Sequence, residues 1–455
     1  MTTIFASQVL TRAGWMSSVR MQLRDGRIAS LEPDAAAQPG DERHAAIVPA
    51  MPNLHSHAFQ RGMAGLAETR GATQDDFWSW RDTMYRFAAR MRPEQLEAVA
   101  GQAYMEMLES GFGRVGEFHY LHRDVDGGIY ADIGEMSGRI AAAAQRAGIA
   151  LTLLPVFYAH SSFGAQPPRE QQRRFVSGVD DYARLIGRCR ALLAPMPGAR
   201  LGVAPHSLRA VTPEELAGVL QIARDLGAQT PVHIHIAEQV GEVRDCEAWC
   251  GARPVRWLLD HAPVDGRWCL VHATHVDEGE IAGMAAAAAV VGLCPVTEAN
   301  LGDGIFPLPP LLERGGAWGI GSDSNVQIGA AAELALLEYS QRLSRRVRNV
   351  AARDGFSTGR TLFQRALLGG SRALAAGEPG LSAGAAADMV SLAAGSPALA
   401  CRSSDALLDS WIFAAPAGSV DCVWVAGRKL VEGGRHLQRE AIQRQYLQAL
   451  QELCA

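Results

Sequence analysis

Apolar and polar positions alternate with a period of two in "SSVRMQLRDGRIASLEPD", Ser17–Asp34. Val19, Met21 and Leu23 fall on one face, Asp25-Gly26 supplies a tight turn, and Ile28 and Leu31 follow, which predicts a β-hairpin. The same pattern returns near the end of the chain, in "ADMVSLAAG" and "VDCVWVAGRKLVEGGRH", where Val423 and Val425 flank Trp424 and Gly427 sits where a turn is needed. The two β-rich ends predict one module built from both termini, residues 1–48 and 386–455.

The middle, residues 49–385, has another rhythm. Segments of helical period such as "PEQLEAVAGQAYMEMLESG", "TPEELAGVLQIARDLG" and "EIAGMAAAAAVVG" alternate with short apolar runs. The runs are "GRVGEFHY", "IALTLLPVFY", "ARLGVAPHS", "TPVHIHIAE", "WCLVHATH", "AVVGLCPV" and "AWGIGSDSN". Strand alternating with helix predicts a parallel α/β fold, most simply a (β/α)8 TIM-like barrel with insertions. The Ala- and Gly-rich "AAGEPGLSAGAAAD" reads as the return into the β module.

Polar residues collect where the apolar runs end. After "AAIVPA" come His55 and His57, and Glu117, His119 and Tyr120 end the next run. His206, Ser207 and Arg209 follow "LGVAP"; His233, His235 and Glu238 close another; then come His272 with His275, and Asp323. Taken alone, H-x-H reads more simply as turn residues after Pro52 and Asn53. The repetition changes that, because a barrel enzyme builds its site at the C-terminal ends of its strands. Residues i and i+2 of a strand share a face, so His55 and His57, with His235 and Asp323, would offer three nitrogens and one oxygen to a divalent, zinc-like ion. His233 lies deeper and reads as structural. Zinc lowers the pKa of a coordinated water to ~7, and Glu238 and Asp323 are placed to move its proton.

Composition narrows the alternatives. At 455 residues, 48% hydrophobic and 20% charged, the chain suits one large domain and a smaller one. A net charge of −5 gives no general attraction to nucleic acid or anionic membrane. "MTTIFASQVLTRAGW" lacks the marks of a secretory signal, no run reads as a membrane span, and a cytoplasmic protein is expected. The eight cysteines form no C-x-x-C and read as reduced thiols; Cys246 and Cys250 share a helix face and read as packing. Lys429 is the single lysine, which excludes an internal Schiff base or a P-loop lysine.

"HSHAFQRGMAGLAE", "FWSWRDTMY", "HSLRAV", "HIHIAEQ" and "GSDSN" together resemble the amidohydrolase superfamily. Within it they look most like the branch that hydrolyses N-formimidoyl-L-glutamate to N-formyl-L-glutamate and ammonia in histidine breakdown. The resemblance covers nearly the whole chain. It implies a barrel, a small β-sandwich made from both termini, one divalent ion and a homodimer. Zinc is favoured, though iron or manganese would fit the same ligands. Two-metal members often bridge their ions with a carboxylated barrel lysine, and this chain has none. The implied roles are proton transfer by Glu238 with Asp323, and orientation of water by His272. Arg209 and Arg81 would bind the two substrate carboxylates in bidentate fashion, from the same or a neighbouring subunit. Gln60, Tyr120 and His206 would add hydrogen bonds. Arg81 also reads as a surface salt bridge.

Three rival readings remain at this point. A related deaminase would act on a ring such as guanine or an adenosine derivative, without needing two carboxylate-binding arginines. A serine hydrolase is suggested by "GFSTG", Gly355–Gly359, but "NVAARD" before it is not strand-like, and Ser357 reads as a helix cap. A binding protein with a structural metal would leave Glu238 and His272 without a role.

Overall fold

A computed structural model describes residues 2–70, 77–393, 395–416 and 418–455. Strands β1 (Thr2–Thr11), β2 (Gly14–Arg24), β3 (Arg27–Glu32) and β4 (Glu42–Pro49) come from the first part of the chain. Asp25 and Gly26 both take positive φ, 51° and 77°, as the two-residue hairpin between β2 and β3 requires. The predicted face of β2 is buried through Val19, Met21 and Leu23.

Six consecutive strands carry the middle's first half: β5 (Met51–Ser56), β6 (Phe112–His119), β7 (Ala150–Phe157), β8 (Arg200–Leu201), β9 (Ala204–Pro205) and β10 (Val232–Ile236). Then come β11 (Trp268–His272), β12 (Val290–Leu293) and β13 (Ala317–Ile320), and finally β14 (Met389–Leu392), β15 (Val420–Val425), β16 (Arg428–Glu432) and β17 (Arg435–His436). β5-β6-β7-β8 form one parallel sheet, with β9 also on β7, and β10-β11-β12-β13 form another. Parallel bridges Val203–Val232 and Ser207–His235 join one pair of sheet edges, and Ser56–Asp323 joins the other. This α/β arrangement of parallel strands is consistent with a TIM-like barrel. The strands are buried on both faces, which is why they read as apolar runs rather than alternating ones.

Helices fill the connections where the sequence predicts them, among them Pro93–Glu109, Pro213–Leu226, Glu278–Ala286 and Thr358–Ala373. Helix Pro213–Leu226 starts with a reciprocal cap: Thr212 Oγ1 accepts from the Glu215 amide, and Glu215 accepts from the Thr212 amide.

The strands of both termini pair in the order β17-β16-β15-β14-β4-β1-β2-β3. β4 is the join, parallel to β1 and antiparallel to β14. Hydrogen bonding therefore links this module's strands in one continuous eight-stranded path. Its own apolar cluster includes Ile4, Val9, Val19, Met21, Ile47, Met389 and Trp424, separate from the large core around the parallel strands. Among the described residues, no helix is long and apolar enough to cross a membrane.

Candidate active site

Four strand-end side chains from distant parts of the chain meet at one point. His55 and His57 lie at the end of β5 and just after it, His235 near the end of β10, and Asp323 just beyond β13. One ligand atom from each lies within 4.8 Å of all the others, and all four residues are buried. His55 Nε2 stands 3.2 Å from His57 Nε2 and 3.0 Å from His235 Nε2, and Asp323 Oδ1 is 3.2 Å from His57 Nε2.

The backbone enforces this meeting. The Asp323 amide donates to the His55 carbonyl at 3.0 Å, and the His57 amide donates to the Asp323 carbonyl at 2.9 Å. So close an approach needs Gly321, where a Cβ would lie 2.8 Å from the His55 carbonyl oxygen. Asp323, His272, Ala237 and Asn325 take left-handed φ of 45°, 67°, 50° and 56°, a strain worth about 1–3 kcal/mol each. Asn325 holds the turn in place: its Nδ2 lies 3.1 Å from Ser56 Oγ, 3.1 Å from the His57 carbonyl and 3.0 Å from the Asp323 carbonyl.

Hydrogen bonds also set the tautomers. His57 Nδ1 donates to the Phe118 carbonyl at 2.9 Å, and His235 Nδ1 donates to the His206 carbonyl at 3.1 Å. Each Nε2 is then a bare lone pair, aimed at its neighbours. Burial lowers the His55 pKa to about 3 and lowers those of His57 and His235, so the rings stay neutral. Converging lone pairs repel unless a cation lies between them. Bond lengths of about 2.0–2.1 Å to a tetrahedral zinc put nitrogens about 3.3 Å apart, close to the spacing here. Burial alone would raise the Asp323 carboxyl, but the neighbouring imidazoles of His55, His57 and His272 outweigh it and hold it low. Three neutral imidazoles and a carboxylate suit a zinc-like ion.

Glu238 and His272 flank this cluster. His272 Nε2 lies 3.6 Å from Glu238 Oε1 and 3.6 Å from Asp323 Oδ2, and its Nδ1 is 3.3 Å from Glu298 Oε1. Burial works against the His272 cation, yet Glu238, the Glu298 hydrogen bond and Asp323 push its pKa up to about 10. Burial lifts Glu238 to about 7, with the charges of His272 and Arg209 pulling the other way. A carboxyl group with its pKa near neutrality can both take and return a proton.

A cavity opens beside these groups. Its walls include His57, His235, Glu238, His272 and Asp323, together with Gln60, Arg81, Tyr120, His206 and Arg209. The sequence-predicted residues thus share one chamber, with His55 behind His57. Burial lowers the His206 pKa as well, and Gln60 Nε2 donates to the Tyr120 hydroxyl at 2.8 Å. Arg81 is 8% exposed, which overturns the surface salt bridge reading. It stacks 4.2 Å from the Trp78 ring centroid, with Arg209 on the same ring at 5.9 Å. Among the described residues no carboxylate hydrogen-bonds to either guanidinium; the nearest to Arg209 is Glu242, at 4.0 Å.

Other strand-end residues lie apart from the cavity. His233 Nε2 donates to the Ala373 carbonyl at 2.8 Å, in keeping with a structural role. His119 packs edge-on against His122 in the interior, and His275 donates to the Asp303 carbonyl. Sequence reasoning missed Tyr158, Tyr85 and Phe175 in the cavity wall, and Glu298 behind His272. Tyr158 carried a usable signal, since it directly follows β7 as the other strand-end residues follow theirs. Ser357 caps helix Thr358–Ala373, accepting from the Arg360 amide and donating to Asp409, so the nucleophile reading falls.

Comparison with known proteins agrees with this geometry. A family model described as "Amidohydrolase family" matches residues 46–430, and one described as "Formimidoylglutamate deiminase HutF, N-terminal domain" matches residues 1–45. The chain belongs to the amidohydrolase family. A relative from Pseudomonas aeruginosa, named formimidoylglutamate deiminase, is 51% identical over 455 residues, all of both chains. An 8-oxoguanine deaminase from the same organism is 27% identical over 71% of each chain. The crystal structure of an amidohydrolase from Brucella melitensis superposes with a TM-score of 0.96 at 56% identity, covering 100% of both chains. An adenosine deaminase from Xanthomonas campestris with bound zinc, 22% identical over 100% of this chain and 98% of that one, shares the fold at a TM-score of 0.80. As an amidohydrolase, the chain is a hydrolytic enzyme, and its buried His/Asp group is the kind of centre that the family's metal-dependent members use.

Proposed function

We propose that this amidohydrolase hydrolyses N-formimidoyl-L-glutamate to N-formyl-L-glutamate and ammonia, a step of histidine degradation. The observation that carries the reading is Arg81 and Arg209 buried in the same chamber as the His55, His57, His235 and Asp323 cluster. Two guanidiniums to which no carboxylate among the described residues hydrogen-bonds match a ligand with two carboxylates. A ring such as guanine or adenosine carries no carboxylate to set against them. The full-length similarity to the Pseudomonas aeruginosa deiminase supports the same substrate.

His55, His57, His235 and Asp323 would hold one divalent ion, with zinc as our assignment. Such an ion supplies the Lewis acidity that lets water act as a nucleophile at neutral pH. Glu238 takes the proton from the attacking water and returns it to the departing nitrogen, so ammonia leaves rather than an amide anion. Asp323 shares in that proton transfer. His272 orients the water and stabilises the oxygen of the tetrahedral centre. Arg81 and Arg209 take the carboxylates, and Gln60, Tyr120 and His206 add hydrogen bonds that fix the amidine over the cluster.

We further assign the parallel strands of residues 49–385 to a closed (β/α)8 barrel, and residues 1–48 with 386–455 to a β-sandwich in which the long terminal sheet folds over its own apolar cluster. The enzyme is proposed to work in the cytoplasm as a homodimer, without nucleic acid or membrane partners. Light scattering after size exclusion tests the dimer. The deciding experiment pairs metal analysis with ammonia release from formimidoylglutamate, guanine and adenosine. One equivalent of metal and turnover of the first substrate are expected; turnover of a ring substrate alone would overturn the reading.

A further inference from the structure

Two tyrosines of the cavity wall are tied to one buried glutamine, and the proton count of that trio has a consequence. Gln172 is fully buried. Its Oε1 accepts the Arg169 backbone amide at 2.8 Å, which fixes the orientation of the side-chain amide. The NH2 group therefore faces the tyrosines, with Nε2 2.7 Å from the Tyr158 hydroxyl and 3.1 Å from that of Tyr85. The amide has two protons and gives one to each phenol oxygen.

Both phenols are then acceptors toward Gln172, and their own protons need other homes. Both hydroxyls meet at the one Nε2 atom, and even a bond from one phenol to the other would use a single proton. The second proton has no acceptor within the trio. Tyr85 and Tyr158 line the chamber that contains Arg81 and Arg209, and the Arg81 guanidinium lies 5.5 Å from the Tyr85 ring centroid. Burial raises the Tyr158 pKa further above neutrality, so the group is an uncharged donor.

We propose that Tyr85 and Tyr158 donate a hydrogen bond to a substrate carboxylate beside Arg81 and Arg209, and that Gln172 is the positioning residue which turns the phenolic proton toward the cavity. The inference rests on the dicarboxylate reading above and deepens it. A neutral donor next to two cations strengthens carboxylate binding without a third buried charge.

Tyr85→Phe, Tyr158→Phe and the double variant keep the ring packing and remove only the hydroxyls. Steady-state kinetics on formimidoylglutamate should show KM raised about tenfold or more in the double variant, as for a lost hydrogen bond to a charged group. Its kcat should stay within about threefold and its metal content unchanged, because binding alone is weakened. Gln172→Glu replaces a donor by an acceptor of the same shape, draws the phenolic protons away from the cavity, and should raise KM although both hydroxyls remain. A double Phe variant with wild-type KM, measured where Arg209→Met still raises it, overturns the assignment and leaves the functional reading intact. A wild-type enzyme that releases no ammonia from formimidoylglutamate overturns that reading, and this assignment with it.

Discussion

The two ends of the cavity are built in opposite ways. At the metal-ligand end, every side chain comes from a strand terminus or the residues just past it, and backbone hydrogen bonds between β5 and the turn after β13 fix the spacing. At the arginine end, Arg81 and Tyr85 come from helix Phe77–Ala88, Gln172 from a short helical turn, and Arg209 from a loop. Their positions depend on stacking and on side-chain hydrogen bonds. A cation needs ligands held within tenths of an ångström, which strands provide. A flexible dicarboxylate needs reach and complementary charge, which longer side chains on helices and loops provide.

This contrast can be tested by the kind of failure each end produces. Asp323→Ala should have the largest effect, abolishing both metal retention and turnover; metal analysis of the purified variant beside an ammonia assay checks this. Full metal content would mean that the histidines suffice. Glu238→Gln should leave the metal in place and lower kcat by about 10²–10⁴-fold, the range for loss of a general acid–base group. A variant that kept full turnover would remove Glu238 from the proton path. Arg209→Met should act mainly on KM, weakening substrate binding by about 2–5 kcal/mol as for a truncated partner of a desolvated charge pair. An unchanged KM for the dicarboxylate would take Arg209 out of the site.

The smallest effect belongs away from both ends. Ser357→Ala removes a helix cap and should cost about 1 kcal/mol of stability while leaving kcat and KM as they were. Thermal melts with parallel kinetics separate this from any catalytic role, since a nucleophile would not survive the change. Inhibition by a chelator but not by a serine-directed reagent would agree.

Much of the metal-ligand end was legible in the chain itself. H-x-H carries its geometry locally, because a strand places alternate residues on one face. The apolar runs marked the parallel strands, and the polar residue ending each run marked where chemistry could sit. Legibility stopped where a position depends on a partner far away in sequence. The Gln172 contact to Tyr85 spans 87 residues and the Glu298 contact to His272 spans 26, and no local period announces either. His119 and His275 end their runs as His57 and His235 do, yet they face the interior or a loop carbonyl. A one-residue change of phase at a strand end sends a side chain to the other face, and only the folded backbone sets that phase.

By itself, then, the sequence determined which segments become strands and helices, and that several imidazoles and carboxylates end those strands. Periodicity and turn chemistry act between near neighbours and need no knowledge of the whole. Tertiary structure decided which of those side chains share a cavity, how Gly321 and Asn325 bring Asp323 against His55 and His57, and that two arginines stack on Trp78. It also joined the two termini in one sheet through β4. Those outcomes come from packing between segments remote in the chain, where shape and hydrogen-bond satisfaction over the whole molecule choose among locally equivalent arrangements.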